Sequence, residues 1–193
     1  MKKIITISIL MSNLLFAEAQ VYMGVLGGYS SENFSKPYNK STSSPMAKLQ
    51  IGYGDLKGYS VQFGFIYDTN SDSVFADAGS KDKEKYSVDV ELIKAFDFDI
   101  GFYPFLKAGF GAGYFDTQIT YTNADGTFTK NKLDFSSYNA GAGFYYPISE
   151  HFILELGATY KYISYERWDK SSTGASAVDT NAVNTYAGIN YRF

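Results

Sequence analysis

Apolar and polar residues alternate one by one in eight separate stretches of this chain. A strict two-residue period is the signature of a β-strand with one apolar face. Val21, Met23, Val25 and Tyr29 point one way while Gly24 and Gly28 point the other, and Ala47, Leu49, Ile51 and Tyr53 oppose Lys48, Gln50 and Gly52. Tyr59, Val61, Phe63, Phe65 and Tyr67 oppose Ser60, Gln62, Gly64 and Asp68, and Tyr86, Val88, Val90 and Leu92 oppose Ser87, Asp89 and Glu91. The second half repeats the pattern around residues 106–114, 137–146, 154–162 and 183–193. One such stretch is a weak signal, but eight in succession predict an all-β chain.

The connections carry a second, independent signal. They run alternately long and short, the long ones being polar and covering residues 30–45, 70–85, 117–134 and 166–181. The short ones are residues 55–58, a turn around residues 97–99, and residues 147–151. A meander of this kind places every long connection at one end and both termini at the other. The predicted architecture is a closed antiparallel eight-stranded transmembrane β-barrel of up-and-down topology, with short turns on the periplasmic side and longer external loops.

A soluble barrel would alternate too, with its apolar face inward around a ligand. Three features favour the opposite orientation. Tyr53, Tyr59, Tyr146, Phe152, Tyr191 and Phe193 cluster near the short turns, and Tyr29, Tyr67, Tyr86, Tyr114, Tyr138 and Tyr162 near the long loops. Two aromatic girdles around an aliphatic band match a bilayer, because amphipathic rings settle at headgroup depth. Secondly, the polar face holds a row of glycines that includes Gly64, Gly109, Gly111, Gly113, Gly141 and Gly143, suited to a narrow lumen. Thirdly, its charges nearly balance, with Lys48, Lys107, Lys161 and Arg192 standing against Asp89, Glu91 and Glu155. These are expected to form an ion-pair network, since buried charges must be paired. With Tyr103, Phe105, Phe115, Tyr145 and Tyr186 also inside, the lumen should be filled and closed to a continuous water column. A narrow conduit for small or hydrophobic solutes is the alternative.

Lys2, Lys3, the apolar run over residues 4–16 and Ala17-Glu18-Ala19 fit a cleaved signal peptide over residues 1–19, which leaves a barrel domain over residues 20–193. No later stretch approaches the ~20 apolar residues of a membrane helix. The chain has no cysteine, hence no lipid-attachment cysteine and no disulfide. Its net charge of −3 argues against nucleic acid as a partner.

Little in the chain suggests catalysis. The single histidine, His151, falls in a short turn, and Asp89 with Glu91 is better explained as ion-paired filling than as an acid pair. No cofactor or metal motif occurs; Asp72, Asp77, Asp82 and Glu84 make an acidic, solvated loop rather than a cation site. In the last long loop Arg167 and Trp168 stand together, a pair of types enriched at binding hot spots, equally compatible with an interfacial anchor.

Residues 103–114, 138–146 and 186–193 together resemble the small eight-stranded outer-membrane barrels grouped with the OmpA transmembrane domain and the neisserial opacity proteins. The first two are similar to the glycine-rich strands of that family. The last resembles its C-terminal assembly signal, with Ile189, Tyr191 and Phe193 on one face. The resemblance implies residence in the cell outer membrane among lipid and lipopolysaccharide, insertion by the barrel-assembly machinery, and loops displayed at the surface to an unknown ligand. The expected role is a non-enzymatic scaffold serving surface interaction or envelope integrity.

Overall fold

The computed structural model describes residues 19–34, 40–70, 83–123, 126–166 and 178–193. The eight strands are β1 (Gln20–Phe34), β2 (Lys40–Gly54), β3 (Tyr59–Asn70), β4 (Lys83–Ala95), β5 (Tyr103–Asn123), β6 (Gly126–Pro147), β7 (Phe152–Tyr165) and β8 (Val178–Arg192). Each pairs antiparallel with its neighbours in chain order, and β8 pairs back onto β1 from Tyr22↔Arg192 to Phe34↔Thr180, closing the sheet. Closure satisfies the backbone of both edge strands, without which a sheet cannot sit in hydrocarbon.

The eight strands stand where the alternation placed them, but they reach further than expected. Much of the polar sequence assigned to long loops is strand: β1 runs to Phe34, β4 begins at Lys83, β8 begins at Val178, and β5 and β6 stay paired out to Asn123↔Gly126. A register shift between Asp116 and Ile119 marks where this ribbon leaves the regular barrel. The cause is β-propensity without amphipathicity. The paired positions Thr120↔Thr129, Tyr121↔Phe128 and Thr122↔Thr127 are occupied by β-branched and aromatic residue types, which favour strand. A membrane crossing needs only about 9–11 residues per strand, so the surplus projects beyond the bilayer.

The outward face is apolar on every strand, and large side chains such as Val25, Leu49, Phe63, Val88, Leu106, Phe110 and Ile189 are exposed there. Tyr53, Tyr146, Phe152 and Tyr191 ring the short-turn end, and Tyr29, Tyr138 and Tyr162 the other. On β3, β4 and β5 the upper ring closes into a contiguous stack, with Tyr86 centred 5.2 Å from both Tyr67 and Tyr114.

Inside, the barrel is less uniformly polar than expected. Three apolar clusters occupy different heights. Tyr22, Leu56, Ile93, Ala95, Phe105, Tyr145 and Ile153 close the short-turn end. Leu26, Met46, Ile66 and Tyr186 lie further up the lumen. Phe34, Phe115, Leu133, Phe135, Ile163, Tyr165, Val178 and Ala182 cap the end that carries the long connections. Charged side chains are held between these layers.

Candidate functional site: the occluded lumen

Period-two geometry delivers the lumen charges. Lys48 on β2, Asp89 and Glu91 on β4, Lys107 on β5, and Glu155 and Lys161 on β7 all point inward and are buried. Glu91 is the hub. Its Oε2 lies 2.6 Å from Lys48 Nζ and its Oε1 lies 2.9 Å from Lys107 Nζ. Gln62 Nε2 donates to Oε2 at 2.9 Å, and the Tyr22 hydroxyl donates to Gln62 Oε1 at 3.1 Å. Higher in the barrel, Lys161 spans the lumen to Asp89. Each contact links strands that are not neighbours in the sheet, apart from Lys107–Glu91 and Gln62–Glu91.

Glycine makes room for these long side chains. A Cβ on Gly64 would collide with the Lys48 stem, one on Gly111 with the Asp89 carboxylate, and one on Gly52 with the Tyr22 ring. Small residues on one strand are therefore the complement of lysines, acids and aromatics on the next.

Glu155 differs from Glu91. It accepts from Gln50 Nε2 at 2.7 Å and Asn190 Nδ2 at 2.9 Å, both at Oε2, while Oε1 has no hydrogen-bond partner among the described residues. Two amides hold it rather than a lysine.

Arg192 joins none of these ion pairs. It stands half-buried at the short-turn mouth, where its register opposite Tyr22 sets it at the level of the lower apolar layer. Without it the expected set holds three cations against three anions, and a neutral pair outside that set joins the interior: Lys85 Nζ lies 2.8 Å from Glu32 Oε2. Tyr165 and Thr180 donate hydroxyls to Glu32 Oε1, and the Lys85 ammonium stands 4.9 Å from the centre of the Phe135 ring. Asp68, on the polar face of β3, is buried in the same region beside Lys85 and Lys161. Glu32 and Lys85 lie in stretches where both faces are polar, so alternation carried no sign of which way they point.

Among the described residues, one void along this network is bordered by Ser30, Asp68, Lys85 and Asn184 and another by Lys48, Glu91, Lys107 and Tyr186. Each has a cavity volume of about 10 Å³, at the lower bound of what holds one water molecule.

Ile189, Tyr191 and Phe193 share the outward face of β8 and its end. The Tyr191 ring packs edge-on against Phe152 at 5.3 Å and Phe193 at 5.0 Å, and the Phe193 amide donates to the Val21 carbonyl at 3.0 Å. His151 is exposed in the turn after β6, with its ring 5.7 Å from that of Tyr191. Among the described residues no three His, Cys, Asp or Glu side chains converge as metal ligands. Arg167, Trp168, Asp72, Asp77, Asp82 and residues 1–18 lie outside the described residues.

A closed sheet with apolar side chains outside and paired charges sealed within is a transmembrane β-barrel. Residues 7–193 match the family described as outer membrane protein beta-barrel domain, and the chain belongs to that family, an outer-membrane one. No curated protein matches it by sequence. Among solved structures it is similar to neisserial surface protein A (NspA), with a TM-score of 0.60 and 16% identity over 91% of this chain and 99% of that one. It is also similar to Ail, the attachment invasion locus protein of Yersinia pestis, solved with the heparin analogue sucrose octasulfate. There the TM-score is 0.50 and the identity 16%, over 90% of this chain and 99% of that one. At these identities the likeness is one of fold.

Proposed function

We propose that this outer-membrane barrel is a non-conducting, non-enzymatic scaffold that presents its upper connections at the cell surface, for surface interaction or envelope integrity. The occluded lumen carries this reading. A permeating solute would have to pass three apolar layers and separate Lys48–Glu91–Lys107, Lys161–Asp89 and Lys85–Glu32. Separating buried charges costs several kcal/mol per ion, so a scaffold fits this interior better than a pore. The strands that project beyond the bilayer support the display role. They carry the external connections on paired strand beyond the regular barrel.

Residues 1–19 are proposed to be the signal peptide, removed on export. Lipopolysaccharide is the proposed neighbour of the upper aromatic ring, and the barrel-assembly machinery the proposed reader of Ile189, Tyr191 and Phe193. The Ail structure, which holds a heparin analogue, supports ligand contact as one use of a small barrel of this fold; Arg167 and Trp168 are the proposed contact pair here.

Planar-bilayer recording tests the central claim. Purified protein should stay electrically silent. Discrete, reproducible openings would replace the scaffold with a narrow channel for small or hydrophobic solutes.

A further inference from the structure

The three short turns do not present the same chemistry. The turn after β2 tucks Leu56 into the lower apolar cluster and shows Lys57 to solvent. The turn between β4 and β5 does the opposite. Backbone pairing ends at Ala95↔Phe105, with one further bond from the Phe96 amide to the Pro104 carbonyl. Beyond it Phe98 is 61% exposed and Ile100 54%, and Phe102 is exposed as well.

These rings continue the lipid-facing side of the wall. On β4 the outward residues are Val88, Val90, Leu92 and Lys94, and the same alternation carries on to Phe96 and Phe98. On β5 it runs from Leu106 through Pro104 to Phe102. Phe102 meets the outward-facing Phe144 edge-on at 5.8 Å, and Phe96 stacks on Phe98 at 6.0 Å. Lys94 holds its ammonium 4.2 Å from the centre of the Tyr59 ring and 5.7 Å from that of Phe96. The polar residues of the turn face the other way: Asp97 binds Lys57 at 3.4 Å and accepts the Asp99 amide at 3.0 Å. The chain reverses here through left-handed backbone at Asp99 (φ 58°) and Gly101 (φ 84°). Exposed Ile148 and Phe193 widen the apolar rim around the same mouth.

We infer that the turn spanning residues 96–102 is an amphipathic anchor embedded in the headgroup boundary of the periplasmic phospholipid leaflet, with Phe98, Ile100 and Phe102 against lipid and the Lys94 ammonium within reach of phosphate. The occupant is lipid because the patch is continuous with a wall that already meets lipid, and because aromatic rings beside a lysine are what the headgroup boundary favours. This inference rests on the outer-membrane reading of the wall.

The test places one tryptophan at a time in the full barrel, with Trp168→Phe removing the native indole. Phe98→Trp and Ile100→Trp report on the turn, and Phe63→Trp on the mid-wall. Each protein is reconstituted in phosphatidylcholine vesicles with bromine near the head end or near the tail end of the acyl chains. Indoles at 98 and 100 should show blue-shifted emission, strong quenching by head-end bromine, and little quenching by aqueous iodide. The indole at 63 should instead respond most to tail-end bromine. Iodide quenching at 98 and 100 without bromine quenching, while position 63 behaves as expected, would overturn the anchor and make the patch a docking face for a soluble periplasmic protein. Loss of bromine quenching at 63 as well would instead sink the orientation of the whole barrel.

Discussion

Lys48 on β2 and Glu91 on β4 meet at 2.6 Å across the inner surface of β3, a cross-link between strands that share no backbone hydrogen bond. Such a bond ties the lumen together in a direction the sheet ladder does not.

Removing the hub carboxylate should therefore be strongly destabilising. Glu91→Gln leaves Lys48 and Lys107 buried with no carboxylate between them. Breaking a buried pair in this way costs about 3–5 kcal/mol. Glu155→Gln should cost about 1 kcal/mol, the scale of one neutral hydrogen bond, because Gln50 and Asn190 can donate to an amide oxygen as they do to Glu155. Urea unfolding in detergent micelles, followed by tryptophan emission and heat-modifiable gel migration, measures both. Equal losses in the two variants would show that the lumen charges do not act as pairs.

Gly27 and Gly28 are adjacent in β1 and should respond in opposite ways. A Cβ on Gly27 points outward and meets nothing within 4 Å, whereas one on Gly28 runs into the Thr185 carbonyl and the Tyr186 backbone. Gly27→Ala should fall within about 0.5 kcal/mol of the parent. Gly28→Ala should cost about 1–3 kcal/mol through overpacking against a backbone that cannot yield. The same unfolding assay reads the difference.

The turn between β4 and β5 supplies a pH-dependent term. The Asp99 amide, with the Lys57 ammonium assisting, holds the Asp97 carboxyl below the usual aspartate range. Hydrogen bonds with Tyr103 and then Asp97 raise the Lys57 ammonium in turn. A lowered acid stabilises the fold while it is ionised, so its contribution is complete above about pH 4, the ordinary aspartate value, and fades as pH falls through its own lower one. Asp97→Asn should flatten that acid limb, remove its contribution at neutral pH, and shift the alkaline limb only by the smaller share that Asp97 holds in the raised Lys57 ammonium, whose Tyr103 hydrogen bond remains. Titration of the Asp97 carboxyl carbon by NMR in micelles checks the direction.

If the end of β8 is read by the assembly machinery, Phe193→Ala should slow insertion into vesicles that contain the machinery. It should not slow spontaneous folding into detergent to the same degree, since the Phe193 amide that bonds Val21 is kept. Parallel folding time courses in the two media separate recognition from packing.

How much of this was legible beforehand follows from what alternation can report. Within the bilayer one face of each strand must be greasy, so Lys48, Asp89, Glu91, Lys107 and Lys161 could be assigned to a common interior from their neighbours alone. Past the lipid that contrast disappears. Glu32 and Lys85 sit in strand that is polar on both sides, and the pair they form went unseen. The reverse ambiguity hid Leu26, Ile66, Ile93 and Ile153, because an aliphatic side chain is equally at home against lipid or inside the lower and middle layers. Alternation put Arg192 on the polar face but carries no height, which the register with β1 supplies: it stands opposite Tyr22, at the level of the lower apolar layer.

The seam between β8 and β1 has a bearing on how the molecule comes to exist. Its partners are the first and last strands of the ring, so this rung can form only after β8 has been made. Until then a growing chain carries two raw margins, each able to recruit a stranger. A product short of one strand would keep both margins unpaired.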